Sequence, residues 1–136
     1  MTIEDDIAFF ERVPTLSTLG RGALRILAIG SENRYVHSGE TLFSAGDEAD
    51  SGYVVQNGSF SLVLGESENG KSVTFGAGTL LGELALFTET TRPATATALE
   101  PSTVLRIPRQ LFLKMLEGYP EAATRLHDVL AKRLAE

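Results

Sequence analysis

Glycine recurs at positions 39, 46, 52, 58, 65, 70, 76, 78 and 82, and the residues between are rich in β-formers. That density leaves no room for a long helix and suits short strands joined by tight turns. Asn57-Gly58 stands between Tyr53-Val54-Val55 and Phe60-Ser61-Leu62-Val63-Leu64. It predicts a hairpin, because a type I′ turn needs positive φ at both central residues. Phe60, Leu62 and Leu64 alternate with Ser59, Ser61 and Val63, as a half-buried strand does. Asn69-Gly70 predicts a second hairpin. Later strands fall at Thr95–Leu99 and Thr103–Ile107, with Glu100-Pro101-Ser102 as the turn. So many short strands predict a roll or barrel over residues 31–108.

The flanks follow a helical period. In residues 1–30, Ile7, Phe9, Phe10 and Val13 give a short apolar face that Pro14 interrupts. Ser17 is placed to cap a second helix carrying Leu19, Ala23, Leu24, Ile26 and Leu27. Gly20 and Gly22 weaken that helix, so it must rely on tertiary packing. In residues 109–136, Leu111, Phe112, Met115 and Leu116 line one face of a short helix that Gly118 ends. Pro120 opens a last helix with apolar positions Ala122, Ala123, Leu126, Val129, Leu130 and Leu134. Arg125, Asp128 and Lys132 mark its wet side. This stripe fits packing on its own roll and fits equally a homodimer seam or a lid over a ligand. Residues 1–136 fit one domain, without repeat or linker. The expected fold is mixed α+β: a β-roll, a jelly-roll-like double-sheet barrel, flanked by N-terminal and C-terminal helices.

Composition narrows the chemistry. The absence of cysteine excludes disulfides, thiol catalysis, iron–sulfur clusters and cysteine-ligated zinc. The two histidines, His37 and His127, lie in segments of different type, so no metal site is expected. A net charge of −6 is the wrong sign for a nucleic-acid surface. No apolar run approaches a membrane span. The acidic start, Met-Thr-Ile-Glu-Asp-Asp, is no targeting peptide, so a cytoplasmic location is the expectation.

The segment Phe75–Ala98, FGAGTLLGELALFTETTRPATATA, sets one carboxylate and one arginine in an apolar frame. Gly82 permits a tight turn and lets a ligand approach the backbone. Leu84-Ala85-Leu86 can form a single helical turn whose first N–H groups point outward and attract an anion. Arg92, nine positions beyond Glu83, carries a planar fork suited to two phosphate oxygens. A carboxylate beside such a site accepts hydrogen bonds from hydroxyls, and an anion flanked by a diol is a sugar-phosphate. On spacing alone, a plain Glu83–Arg92 salt bridge closing the loop is the stronger alternative.

The segment resembles the phosphate-binding cassette of cyclic-nucleotide-binding domains, found in kinase regulatory subunits, gated channels and the bacterial catabolite activator. The family pattern is Phe-Gly-Glu-Leu-Ala-Leu, a short loop, then Pro-Arg-Ala-Ala-Thr. Here the residues are Leu81-Gly82-Glu83-Leu84-Ala85-Leu86, a loop Phe87–Thr90, then Thr91-Arg92-Pro93-Ala94-Thr95. Gly39–Asp47 and Ser51–Gly58 resemble the family's early strand and its central hairpin, so the likeness runs over nearly the whole chain. It implies a cassette at residues 81–95 with ligand contacts at Gly82, Glu83, Leu84, Ala85, Arg92, Pro93 and Ala94. Glu83 would accept the ribose 2′-hydroxyl. Arg92 and the Ala85 N–H would hold the phosphate, with Gly82 against the ribose. Leu84, Leu86 and Phe87 would support the cassette against the helices.

Thr91 and Pro93 depart from the pattern. Pro93 has no N–H to give the phosphate. Members that favour cGMP often carry Thr or Ser there, so the resemblance leans towards cAMP. The last residues resemble the start of the activator's long C-terminal helix. The implied function is a non-enzymatic cyclic-nucleotide sensor without cofactor or metal, touching neither nucleic acid nor membrane. One rival is a non-binding structural or dimerisation relative, which Pro93 favours. The other is a cupin-like enzyme, for which the histidines supply no cluster.

Overall fold

The computed structural model describes residues 2–64 and 71–135. Two helices, α1 (Ile3–Phe10) and α2 (Arg21–Gly30), lead into ten short strands. These are β1 (Glu32–Val36), β2 (Thr41–Phe43), β3 (Glu48–Ala49), β4 (Ser51–Asn57), β5 (Ser59–Leu64), β6 (Ser72–Gly76), β7 (Leu80–Leu81), β8 (Thr90–Thr91), β9 (Ala94–Ala98) and β10 (Ser102–Pro108). Helices α3 (Arg109–Gly118) and α4 (Pro120–Ala135) follow. Among the described residues the strands form two four-stranded sheets, β1-β10-β4-β7 and β2-β9-β5-β6, and a β3-β8 pair, all antiparallel. Among the described residues the sheets do not join into a closed barrel. The expected β-roll between helices is present in this form.

Two apolar clusters explain the strand patterns. One fills the roll with Phe43, Tyr53, Val55, Phe60, Leu81 and Val104. The other joins Val54, Leu105 and Ile107 to Phe10, Leu24, Leu27, Phe112, Met115 and Leu126 of the helices. Strand β4 is therefore buried on both faces, which is why Tyr53-Val54-Val55 shows no alternation. Phe60 is fully buried, yet Leu64 at the far end of β5 is 63% exposed, so the alternation read there fades along the strand.

Two sequence expectations change. Asn57-Gly58 does not close a hairpin, since β4 pairs with β10 and β7 while β5 pairs with β6 and β9. Only Gly58 has positive φ (95°), and it carries the chain from one sheet to the other. Any side chain there would run into Ser102. Ser17 does not cap α2: its hydroxyl donates to the Pro14 carbonyl (2.9 Å), and Gly20 (φ 89°) precedes the helix instead. The glycines of α2 are close approaches, because Gly22 packs against the Tyr119 ring and Gly30 against Leu111. The Asn69-Gly70 expectation lies outside the described residues, although β5 and β6 on either side do pair.

The stripe of α4 is used in its first half, where Ala122 and Leu126 are buried in the helix-side core. Arg125, read as wet, docks the helix by donating to the carbonyls of Thr18 (2.7 Å) and Leu19 (2.9 Å).

Candidate functional site

The chain leaves β7 through Gly82 (φ 75°), a conformation that strains any side-chain-bearing residue. It then winds one 3-10 turn, Glu83–Leu86. Ala85 and Leu86 are buried beneath the turn, and Phe87 meets Phe112 of α3 edge-to-face at 5.4 Å. Leu84 is not a buried support with them, because its side chain stands 61% exposed. The Ala85 N–H donates to the Gly82 carbonyl (3.1 Å) in this conformation. At the other end of the turn, Arg109 Nη1 donates to the carbonyls of Ala85 (3.2 Å), Thr88 (3.0 Å) and Ala49 (2.9 Å). A cation at the carbonyl end complements the turn's dipole and ties it to β3 and α3.

Arg92 is held from both sides of its backbone. Its N–H donates to the Asp47 carbonyl and its carbonyl accepts from Gly46, each at 2.8 Å. The side chain runs into the roll and is 4% exposed. Its guanidinium lies over Phe43 (4.4 Å) and Tyr53 (5.5 Å), a cation–π shelf. Nη2 donates to the Ser51 carbonyl (2.7 Å). Nη1 is buried and has no hydrogen-bond partner among the described residues. That nitrogen faces Gly82, where a Cβ would fall on it. Burial pushes the Arg92 pKa below its ordinary value, but arginine remains a cation.

The salt bridge that spacing suggested does not form. Glu83 instead accepts from the Thr15 hydroxyl and from Arg133 Nη1 of α4 (3.0 Å). Arg133 Nη2 donates to Thr15 Oγ1 (3.1 Å), closing a three-membered ring. All the predicted site residues except Ala94 line one hollow of about 300 Å³, with Ala49, Thr90 and Thr91 completing its wall. Ala94 lies just past it, buried as the first residue of β9. Larger hollows of about 560 and 540 Å³ run along Asp50 and Arg109. Glu48, Asp50 and Glu89 border the former, so an anion is repelled there. Among the described residues no group of three or more acidic or histidine side chains could hold a metal, and no helix is long and apolar enough to cross a membrane.

A hollow floored by a buried guanidinium whose Nη1 has no partner among the described residues, and rimmed by a left-handed glycine, is suited to one anionic group. Comparison with known proteins shows that the cyclic nucleotide-binding domain profile matches residues 33–119. The chain belongs to the cyclic nucleotide-binding domain family. The lysophospholipase nte1 of Neurospora crassa is 34% identical over 101 residues, which are 73% of this chain and 7% of that enzyme. This chain thus spans a small fraction of the curated relatives it matches. The N-terminal domain of a transcriptional regulator from Streptomyces coelicolor A3(2) superposes with a TM-score of 0.83 at 32% identity, covering 93% of this chain and 90% of that one. The regulatory subunit of a cAMP-independent protein kinase A from Trypanosoma brucei shares the fold, with a TM-score of 0.78 at 24% identity, over 98% of this chain and 46% of that one. The chain is a binding and regulatory module of this family.

Sequence reasoning missed the residues that support the cassette. Phe43, Tyr53 and Ser51 lie in other strands, and only the sheet topology carries them under Arg92. Thr15 is 68 positions from Glu83 and looks like any turn residue. Arg109 and Arg133 carried one available signal, a cation beginning or ending a helix, which alone names no partner.

Proposed function

We propose that this chain is a non-catalytic receptor for cAMP, bound in the hollow between Gly82 and Arg92. The observation that carries the reading is the buried Arg92 Nη1 without a partner among the described residues, with space left open by Gly82. A buried cation with an unused donor is costly unless a ligand completes it. Arg92 would fork onto the cyclic phosphate with help from the turn's amides, Glu83 would accept the ribose 2′-hydroxyl, and Gly82 would let the sugar approach. Leu84, Ala85, Pro93 and Ala94 would frame the ligand. The preference for cAMP over cGMP rests on Pro93, which offers neither a hydroxyl nor an N–H at the position where cGMP-favouring members carry Thr or Ser. The signal would pass through Leu86, Phe87 and Arg109 into α3, and through Glu83 into α4.

Calorimetric titration of the wild type with cAMP, cGMP and 5′-AMP tests this. We expect cAMP to bind tightest, and Arg92→Lys to keep only part of the affinity, since an ammonium cannot fork. Equal binding of 5′-AMP and cAMP, or unchanged affinity in Arg92→Lys, would overturn the assignment. A second reading, a non-binding structural relative, is favoured by one observation: the Glu83 carboxylate is already engaged by Thr15 and Arg133. No binding of any of the three nucleotides would select it.

A further inference from the structure

Glu83 stands where three hollows meet. One holds Gly82 and Arg92, a second of about 310 Å³ holds Thr15 and Arg133, and a third of about 410 Å³ holds Phe87, Leu130 and Arg133. The carboxylate therefore serves two customers. Toward the phosphate side it lines the hollow, where on the proposed function it would accept a ligand hydroxyl. Toward the helix side it already accepts from Thr15 and from the α4 guanidinium at 3.0 Å. Arg133 bonds Thr15 as well (3.1 Å), so the donors brace each other around the acid. Thr15 is 2% exposed, which fixes one donor rigidly, whereas Arg133 is 41% exposed at its side chain and sits near the end of the helix.

We propose that Arg133 and Thr15 are specificity-determining residues that set how strongly the pocket reads the ribose 2′-hydroxyl. The proposal rests on the reading of Glu83 as the ribose acceptor. A carboxylate neutralised by a guanidinium is a weaker acceptor, and one braced by two donors is less free to turn towards a third. Hydroxyl recognition and the α4 contact therefore draw on the same two oxygens. A ligand with the hydroxyl competes with Arg133, and a ligand lacking it does not. The position of α4 and the sugar selectivity of the pocket become one property, reciprocal as any coupling between two binding events must be.

The test titrates cAMP and 2′-deoxy-cAMP into the full chain as wild type, Arg133→Ala and Thr15→Val. Arg133 makes its contacts from an exposed stretch of helix, so its removal spares the core. In Arg133→Ala, cAMP affinity should rise about two- to fivefold, the scale of a partly exposed ion pair. Affinity for 2′-deoxy-cAMP should stay within about twofold, so the preference between the ligands widens. Thr15→Val should shift the preference in the same direction. Hydrogen exchange over residues 125–133 supplies an independent readout: cAMP should raise exchange in the wild type more than 2′-deoxy-cAMP does. If Arg133→Ala changes both ligands equally, or neither, Arg133 is a structural ion-pair partner and the proposal falls alone. If wild type and variants bind neither nucleotide, the receptor reading falls and takes the proposal with it.

Discussion

Two arginines beside Tyr53 of β4 are treated in opposite ways. On the β1–β10 edge, Arg106 donates to Glu32 (3.0 Å) and Asp50 (3.1 Å). Burial works against its charge, yet Asp50 and Glu32 outweigh burial and its pKa rises. In the cassette, Arg92 meets aromatic rings and one carbonyl, burial dominates, and its pKa falls. The first cation is satisfied by the fold. The second has binding capacity that the fold leaves unused. A charge completed by its own chain is structure, and one left incomplete beside an open hollow can take a ligand.

Exchanging each cation for an apolar chain is the strongest way to break this contrast. Arg92→Met should weaken cAMP binding by about 1.5–3 kcal/mol or more, the scale of hydrogen bonds to a charged group. The same substitution should not lower the Tm, because it removes a buried, incompletely paired charge and puts a flexible thioether on an aromatic shelf. Arg106→Met should do the reverse. Binding should persist, and stability should fall by about 1 kcal/mol or less, since Glu32 and Asp50 are largely exposed. Calorimetry and thermal unfolding on both variants decide the matter. A destabilised Arg92→Met that still binds would make Arg92 structural as well.

The next effect separates conformational strain from collision. Gly82 and Gly78 both have positive φ, 75° and 90°. A Cβ on Gly78 meets nothing within 4 Å, whereas one on Gly82 meets Arg92 Nη1. Each alanine should cost about 1–2 kcal/mol in backbone strain. Only Gly82→Ala should also reduce cAMP binding, by about tenfold, as it displaces the guanidinium. Equal loss of binding in both would mean that the loops act as a whole and the Gly82–Arg92 contact is incidental.

That glycine pair shows where the sequence could be read and where it could not. That Gly82, the turn and Arg92 share one hollow was legible because the arrangement is local: a left-handed glycine, a turn and an arginine lie within eleven residues, and backbone sterics act over that range. The roll was legible as a class from its glycines. What stayed hidden is non-local. Asn57-Gly58 has the composition of a hairpin, but whether β4 pairs with β5 depends on β10, which competes for the same edge. The resemblance implies that Leu84 supports the cassette with Leu86, yet a 3-10 turn points it outward while Ala85 and Leu86 turn in. The engagement of Glu83 by Thr15 and Arg133 joins the first helical region to the last, and no pattern in either announces it.

Pro93 offers a smaller effect on the same side of the contrast. It is exposed beside Arg92 and has no N–H to aim at a phosphate. The missing donor weakens binding by about 1 kcal/mol if water substitutes. Proline also lowers the loop's freedom before binding, which recovers about 0.4–1 kcal/mol. A donor aimed at an anion is charge-assisted, so the first effect should win. Pro93→Ala should tighten cAMP binding severalfold and lower the Tm slightly. Weaker binding would show that preorganisation dominates at this corner.

The smallest effect asks whether every under-paired buried charge marks a site. Asp6 on α1 is 8% exposed and accepts from Gln56 Nε2 at 3.3 Å, and no cation pairs with it among the described residues. Burial pushes its pKa up, and the neighbouring Asp5 adds to the shift. The fold therefore favours the protonated acid. Its contribution to stability is full below the ordinary aspartate value of about 3.9 and is lost as pH rises through the raised folded value. Asp6→Asn removes the charge and keeps an oxygen for Gln56, so it should raise the Tm by about 1–3 °C at pH 7. The gain should fade as pH is lowered towards 4, and cAMP affinity should not move. Asp6 lines none of the hollows that hold Gly82 or Arg92 and is faced by Gln56 rather than by open space. A change in affinity would mean that α1 is coupled to the cassette, and that the incomplete charge on Asp6, like that on Arg92, belongs to the binding machinery.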